Sequence, residues 1–277
     1  MCELFAMSAR FPTTVHLSLD ELARHGGGSG PRDGWGIAFA QQGDALVVRE
    51  PGAVSESAWH AFLQRQDIRS ETVIAHIRRA TQGTKLLRNT QPFSRELGGV
   101  VHVFAHNGML PSIETDTRFS TRRFLRVGDT DSEHAFCALL ERIAPTWSDG
   151  LPSLDARLAA VVAFADELRE LGPANFIYSD GDAVFAHGHR RKSASGEILP
   201  PGLYVLCRGC AARSEGLPLT GVEIGFEEEQ QVALLASVPL SRERWEPLSE
   251  GEIVVLREGR VVQRQALVGG KRARLRS

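Results

Sequence analysis

Blocks of apolar and polar positions along the chain predict short strands and a few helices. Largely apolar runs at 3–8, 72–77 and 100–105 are typical of strands that are buried on both faces. Apolar residues at helical spacing predict helices over 131–143 and 153–171. The blocks do not follow the strict strand–helix alternation of a doubly wound parallel fold. Two antiparallel sheets covered by helices fit this order, so the predicted fold class is α+β.

Local signals add turns and a further helix. Asp180-Gly181 and Glu258-Gly259 each lie between two strand-like runs, and such dipeptides favour hairpin turns. A helix that starts at Ser55 is predicted to carry Trp59, Phe62 and Leu63 on one buried face.

The bulk composition excludes several classes of protein. The chain has 277 residues, 42% of them hydrophobic, and a net charge of −2, so nothing marks a nucleic-acid-binding protein. No apolar stretch approaches the roughly 20 residues of a membrane span, and the N-terminus does not resemble a signal peptide. The four cysteines are too few for a disulfide scaffold. We therefore expect a cytoplasmic protein of one large or two small domains that ends in a flexible basic tail over 266–277.

Cys2 is the first residue that suggests chemistry. It follows the initiator methionine and is small enough for Met1 to be removed. The mature chain would then carry a thiol and a free α-amino group on one residue. A thiolate is a strong nucleophile and an amine can act as its base, so a processed Cys2 would hold both functions of a hydrolytic pair.

The segment H-I-R-R-A-T-Q-G (76–83) follows a predicted strand, a position at which a scaffold often presents functional groups. An arginine offers a planar donor fork for a substrate carboxylate, and a nearby threonine hydroxyl can add a hydrogen bond. Taken alone, Arg78 is more typical of a structural salt bridge than of a ligand site.

Two further segments have a structural and a functional interpretation each. H-N-G (106–108) is typical of a turn, but an Asn amide and a following Gly N–H can also form an oxyanion hole. T-D-S-E (130–133) is typical of a helix cap, but one of its carboxylates can also bind a substrate ammonium. The joint presence of all four features favours the functional interpretation.

Together these segments resemble the glutaminase domain of class II glutamine amidotransferases, which are N-terminal-nucleophile hydrolases. The family pattern is an N-terminal Cys, then H-x-R-x-A-T-x-G, then H-N-G, then T-D-[ST]-E, and all four match in order here. D-G-W-G-I (33–37) and N-T-Q-P-F (89–93) also resemble family segments. The resemblance covers about 2–265 and implies a four-layer αββα sandwich of two antiparallel sheets. With no synthetase domain after that match, the chain resembles the stand-alone, YafJ-type branch.

The resemblance implies hydrolysis of the glutamine side-chain amide through a thioester, without a cofactor, releasing ammonia and glutamate. It implies three residues for the chemistry and three for binding the amino acid: Cys2 as nucleophile with its own α-amine as base, Asn107 and Gly108 as oxyanion hole, Arg78 assisted by Thr81 for the α-carboxylate, and Asp131 for the α-ammonium. The sequence departs from the family at Arg79, where Trp is frequent, and at Gln82, where His is common.

Other functions stay open at this stage. One alternative is a hydrolase of another γ-glutamyl amide, of the type found in the ergothioneine pathway. A second is a non-catalytic module that binds glutamine or glutamate. If the enzyme does release ammonia for synthesis, the resemblance implies a separate ammonia-accepting synthetase as partner.

A weak zinc hypothesis rests on a different set of residues. His187, His189, Cys207 and Cys210 provide two His and a C-x-x-C pair, which could hold zinc tetrahedrally.

Overall fold

The computed structural model describes residues 2–25, 33–79, 84–192, 196–209, 218–225, 229–268 and 271–275. Within these residues the helices are α1 (Leu19–His25), α2 (Ala58–Leu63), α3 (Asp131–Ile143) and α4 (Leu154–Leu171). The strands in the same residues are β1 (Glu3–Leu17), β2 (Trp35–Gln41), β3 (Asp44–Glu50), β4 (Arg69–Ile77), β5 (Phe93–Leu97), β6 (Val100–Gly108), β7 (Ala174–Ser179), β8 (Val184–Gly188), β9 (Arg191–Lys192), β10 (Ile198–Leu199), β11 (Tyr204–Gly209), β12 (Val222–Ile224), β13 (Gln231–Ala236), β14 (Glu246–Pro247), β15 (Glu252–Arg257), β16 (Arg260–Val268) and β17 (Lys271–Leu275).

Two antiparallel sheets form the centre of the fold. The first sheet has the order β14-β11-β13-β1-β4-β2-β3, with β12 paired to β1. The second sheet has the order β17-β16-β15-β8-β7-β6-β5. A small hairpin of β9 and β10 stands beside them. In the second sheet all neighbours except β8 and β15 are consecutive strands, so this sheet is built largely from hairpins, as the turn signals predict, whereas in the first sheet only β2 and β3 are both consecutive and paired.

Three hydrophobic cores separate four layers. One core packs α1 and α2 against the outer face of the first sheet. A second core lies between the two sheets. The third packs α3 and α4 against the outer face of the second sheet. The α+β class and the αββα sandwich are therefore confirmed.

The largely apolar runs of the strands are explained by this layering. Along β1, Phe5 and Met7 face the helix side, whereas Leu4 and Ala6 face the second sheet. Successive side chains of a strand point to opposite faces, and a sheet covered on both sides requires apolar residues at both.

The hairpin turns are confirmed, and their geometry follows from their residues. Glu258 and Gly259 have φ angles of 50° and 74° between β15 and β16. Positive φ at both central positions is the type I′ geometry that matches the twist of paired strands. Gly181, with φ of 87°, lies between β7 and β8.

The prediction for the helix near Ser55 is wrong in its start and in its buried face. Ser57, not Ser55, caps α2 by accepting from the backbone N–H of His60. Trp59 is 61% exposed and Phe62 46% exposed. The buried residues of α2 are His60 and Leu63, so the helix packs through another face.

The C-terminal segment also differs from expectation. β16 continues to Val268, and β17 pairs with it in the range that was expected to be a flexible tail. In the sequence of β17, polar and apolar residues alternate from Arg272 to Leu275, but the basic charge of the segment favoured the prediction of a loose tail. In the described part of the chain, no helix has the length and apolar character required to cross a membrane.

Candidate active site

The thiol of Cys2 lies beside the end of β4. The antiparallel register pairs Glu3 with Ile77, which brings the residue before Glu3 next to the residues that follow Ile77. The backbone N–H of Arg79 donates to Cys2 Sγ at 3.2 Å, and the thiol donates to the Arg79 carbonyl at 3.4 Å. Strand pairing therefore fixes the candidate nucleophile against the H-I-R-R segment.

The surroundings of the thiol act on its pKa in opposite directions. Burial raises the pKa of Cys2 above its ordinary value, because the charged thiolate loses solvation. The Arg79 N–H and the charge of Arg78 lower the pKa, but burial is the larger effect. The thiol therefore needs a base before it can act as a nucleophile.

Cys2 opens onto a small pocket with a cavity volume of about 40 Å³. Cys2, Arg78, Gly108 and Asp131, four of the predicted site residues, line it together. Thr81, like Gln82, lies outside the described residues. The other lining residues are Arg79, Asn89, Gln91, His106, Thr130 and Ser132.

The pocket carries opposite charges. Arg78 is 4% exposed and donates through Nη1 to the Thr84 carbonyl at 3.2 Å. Asp131 is the first residue of α3, and its two oxygens accept from the backbone N–H groups of Leu110 (2.9 Å) and Ser132 (2.7 Å). A cation and a carboxylate on one pocket wall suit the carboxylate and ammonium of an amino acid.

The T-D-S-E segment caps a helix and also contributes to the lining of the pocket. Thr130 caps α3 by accepting from the Glu133 N–H at 3.2 Å, which confirms the structural interpretation. The same cap places Asp131 at the pocket, so the helix start and the pocket wall are one element.

The H-N-G segment ends β6 next to Cys2. Asn107 Nδ2 donates to the Cys2 carbonyl at 2.8 Å. An Asn amide has two N–H donors, so one N–H is not used by this bond. At Gly108, a Cβ atom would lie 1.8 Å from the Pro173 carbonyl oxygen. Only glycine fits there, so steric exclusion of a side chain explains why the motif has glycine at this position.

Sequence analysis missed Gln91 as a support for this strand end. Pairing of β5 with β6 begins at Phe93–Phe104, so the outer edge of His106 has no strand partner. Gln91 fills this position: its Nε2 donates to the His106 carbonyl at 3.1 Å, and its Oε1 accepts from the His106 N–H at 2.6 Å. The side chain thus replaces a strand and holds the backbone that leads into Asn107.

Asn175, on the neighbouring strand β7, was also missed. It is 1% exposed, and its Nδ2 donates to the Asn107 carbonyl at 3.0 Å. Its Oδ1 accepts from the His189 N–H at 2.7 Å. A polar residue inside the apolar run of β7 is the one signal that could have indicated this role.

Asn89 joins two loops around the pocket. It is fully buried, donates to the Thr84 carbonyl at 3.0 Å and accepts from the Asp129 N–H at 3.0 Å. Because Arg78 also donates to Thr84, Asn89 links the surroundings of the arginine to the start of α3. The N-T-Q-P-F segment pointed to this region without indicating a role.

Replacing Gln91 with leucine is expected to lower the free energy of unfolding by about 1–3 kcal/mol, because the buried N–H and C=O of His106 lose their partner. Chemical denaturation measures the change. Gln66→Leu is the control, since Gln66 is partly exposed and its side chain donates a long hydrogen bond of 3.4 Å to the Phe62 carbonyl; its effect is expected within about 0.5 kcal/mol. An unchanged stability of Gln91→Leu would contradict the support role.

The zinc candidates lie apart where the structure describes them. The rings of His187 and His189 are 6.0 Å apart, on one side of β8 in the second sheet. Cys207 is exposed on β11, in the first sheet. Among the described residues, no three His, Cys, Asp or Glu side chains are grouped so that they could hold a metal ion. Cys210 lies outside the described residues, so the four-ligand hypothesis stays a prediction.

The chain belongs to the class II glutamine amidotransferases. The sequence model of the family described as "Glutamine amidotransferases class-II" matches residues 1–274. The family resemblance of the four motifs is thereby confirmed.

Individual relatives agree over nearly the whole chain. The Escherichia coli (strain K12) protein "Putative glutamine amidotransferase YafJ" is 34% identical over 258 residues, covering 91% of this chain and 96% of that one. The Haemophilus influenzae protein "Putative glutamine amidotransferase" is 32% identical over 266 residues, covering 94% of this chain and 85% of that one. The crystal structure of a "predicted glutamine amidotransferase" from Pseudomonas aeruginosa has a TM-score of 0.69 at 31% identity, covering 94% and 99%.

A more distant structure shows the fold alone. The glutamine phosphoribosylpyrophosphate amidotransferase from B. subtilis has a TM-score of 0.56 at 15% identity. The match covers 93% of this chain but 47% of that one. The layered sandwich is thus shared with a protein that is about twice as long.

Proposed function

We propose that this protein is a glutaminase that hydrolyses the side-chain amide of glutamine through a thioester on Cys2, after removal of Met1. One observation carries the proposal: the Cys2 thiol shares a pocket with Arg78 and Asp131. A nucleophile and two opposite charges in one pocket match an α-amino acid whose side chain is attacked.

The binding step follows from the charges. The guanidinium of Arg78 pairs with the α-carboxylate of glutamine, with Thr81 assisting. The carboxylate of Asp131 pairs with the α-ammonium. Two charged anchors fix one end of the substrate, so that its amide is directed to the thiol.

The chemical step begins with the thiol. Since burial raises the pKa of Cys2, the free α-amine of the mature residue takes the proton, through a water. The thiolate attacks the amide carbon, and the negative oxygen accepts hydrogen bonds from Asn107 and Gly108. The C–N bond breaks as the amide nitrogen takes the proton held by the α-amine and leaves as ammonia. Water then hydrolyses the thioester to glutamate and the free thiol.

The proposal also includes the cellular compartment, the extent of the catalytic unit and the acceptor of the ammonia. A nucleophilic thiol has to stay reduced, which favours the cytoplasm. The catalytic unit comprises 2–265. If the ammonia serves synthesis, a separate synthetase accepts it.

Release of glutamate and ammonia from glutamine by the purified protein tests the proposal. We expect the two products in equal amounts, and no release of aspartate from asparagine, whose amide is one methylene shorter. Intact mass first establishes that Met1 is absent. A processed protein that releases neither product from glutamine would contradict the glutaminase function.

A further inference from the structure

The carboxylate of Asp131 is held by three hydrogen-bond donors of the protein. Its Oδ2 accepts from the Leu110 N–H at 2.9 Å. Its Oδ1 accepts from the backbone N–H of Ser132 at 2.7 Å and from the Ser132 hydroxyl at 3.2 Å. The two oxygens of an ionised carboxylate offer about four acceptor positions. The three donors therefore fix the orientation of the carboxylate and leave about one position for a ligand in the pocket.

The Ser132 hydroxyl is itself held by a histidine. Its Oγ lies 2.9 Å from Nδ1 of His106, near the end of β6, and both residues are buried. An ionised carboxylate can only accept, so the hydroxyl donates its one hydrogen to Asp131, and its oxygen accepts from Nδ1 of the imidazole. The donors thus run in one direction, from the imidazole through the hydroxyl to the carboxylate.

The imidazole has a fixed place because its backbone is held on both sides. On one side His106 pairs with Phe176 of β7. On the other side it exchanges two hydrogen bonds with the amide of Gln91. His106, Ser132 and Asp131 line the same pocket. A strand that is held on both sides therefore sets the position of a hydroxyl at the start of the neighbouring helix.

We propose that Ser132, oriented by His106, is a positioning residue that makes the pocket selective for substrates with a free α-ammonium. Its hydroxyl keeps the Asp131 carboxylate in the orientation in which the remaining acceptor position meets the ammonium. The inference rests on the proposed function, in which Asp131 binds that ammonium. A substrate without the ammonium would cover the carboxylate from water and leave it unpaired, which is costly.

The test compares glutamine with glutaramate, the same amide without the α-amino group. The readout is the ratio of kcat/KM for glutamine to kcat/KM for glutaramate. We expect a ratio of about 100 or more for the wild type, because a polar site rejects an analogue that leaves its groups unpaired. In Ser132→Ala the ratio is expected to fall about tenfold, through loss of a hydrogen bond to a charged group. Ser132→Thr keeps the hydroxyl and is expected to keep the wild-type ratio.

Two variants of His106 test the second contact. Asparagine places an N–H donor at the same distance along the side chain as Nδ1, so His106→Asn is expected to retain most of the ratio, whereas His106→Leu is expected to resemble Ser132→Ala. Competitive inhibition by glutamate and by glutarate, which lacks the amino group, gives the same comparison without turnover. The ratio of the two inhibition constants is expected to change in parallel.

Ser153→Ala is the matched control, because Ser153 also stands at a helix start, where it caps α4, and lies outside the lining of the pocket. Its ratio is expected to equal that of the wild type. A general disturbance of α3 would lower both rates alike, so an unchanged ratio in Ser132→Ala would overturn the inference. A Ser132→Thr ratio as low as that of Ser132→Ala would overturn it as well.

Failure of the proposed function has a different signature. If the processed wild type releases no glutamate from glutamine, the glutaminase function fails, and the inference that rests on it fails too. If the wild type hydrolyses glutamine and the ratios do not respond to the hydroxyl of Ser132, the inference alone fails. The two failures are therefore distinguishable.

Discussion

Replacing Cys2 with serine is expected to reduce glutamate release from glutamine by about 10³-fold or more. A thiol has an ordinary pKa of about 8.5 and can be ionised by a neighbouring amine, whereas a serine hydroxyl stays protonated under the same conditions. The two side chains are close in size, so the contacts with Arg79 and Asn107 and the pocket are retained. Initial rates at saturating glutamine measure the change.

The control is Cys207→Ser, the same change at an exposed cysteine on the first sheet. Its rate is expected to stay within about twofold of the wild type, since surface substitutions have small effects. Serine is also small enough for Met1 removal, so intact mass should show the same processing in every protein compared. Substantial glutamate release by Cys2→Ser would rule out the thioester mechanism.

The layers of the fold could be predicted because they depend on apolar patterning. Runs such as 72–77 are apolar at most positions, on both faces of the strand, so both faces require cover. Two stacked sheets with helices outside provide that cover. The turn residues at 180–181 and 258–259 add the hairpin connections, since only certain residues adopt positive φ readily.

Elements whose pairing is non-local were harder to predict. β1 runs from Glu3 to Leu17, whereas the apolar run ends at residue 8. Its ladder with β4 shifts register between Ser8 and Thr13, around the exposed Phe11. The strand continues because β4 and β12 supply partners, which no local pattern reveals.

The buried face of α2 could likewise not be predicted from the local sequence. Helical spacing groups Trp59 with Phe62, but the rings remain exposed and contact each other at 6.4 Å. His60 is buried instead, where its Nε2 lies 3.0 Å from the Leu17 carbonyl. The partner across the layer decides which face is buried, and hydrophobicity alone does not.

The residues of the candidate site also fall into a group that the sequence predicts and a group that it does not. Charged and nucleophilic residues with a chemical signature, such as Cys2 and Asp131, could be named from their motifs, and the pocket brings them together. The roles of Gln91 and Asn175 could not be predicted from a motif, because these roles depend on the backbone groups to which the two side-chain amides are hydrogen-bonded. Such contacts join residues that are distant in the sequence.

The largest expected loss of stability lies at Arg157, in α4. Its guanidinium binds Asp180 at 2.8 Å and Asp182 at 2.7 Å, and the side chains of Arg157 and Asp180 are 4% and 1% exposed. Arg157→Ala leaves the Asp180 carboxylate buried without a cation. We expect the free energy of unfolding to fall by about 3–5 kcal/mol, the cost of an uncompensated buried charge. Urea denaturation followed by circular dichroism measures it.

Arg118→Ala is the matched control, because Arg118 also bridges two carboxylates. It binds Asp116 at 2.7 Å and Glu170 at 2.6 Å, but its side chain is 39% exposed. Water solvates the two carboxylates once the arginine is removed, so the loss is expected to be far smaller than at Arg157. Both variants remove one guanidinium from two acids, and burial is the main variable that differs. Equal losses would show that burial of Asp180 is not what makes the Arg157 pair important.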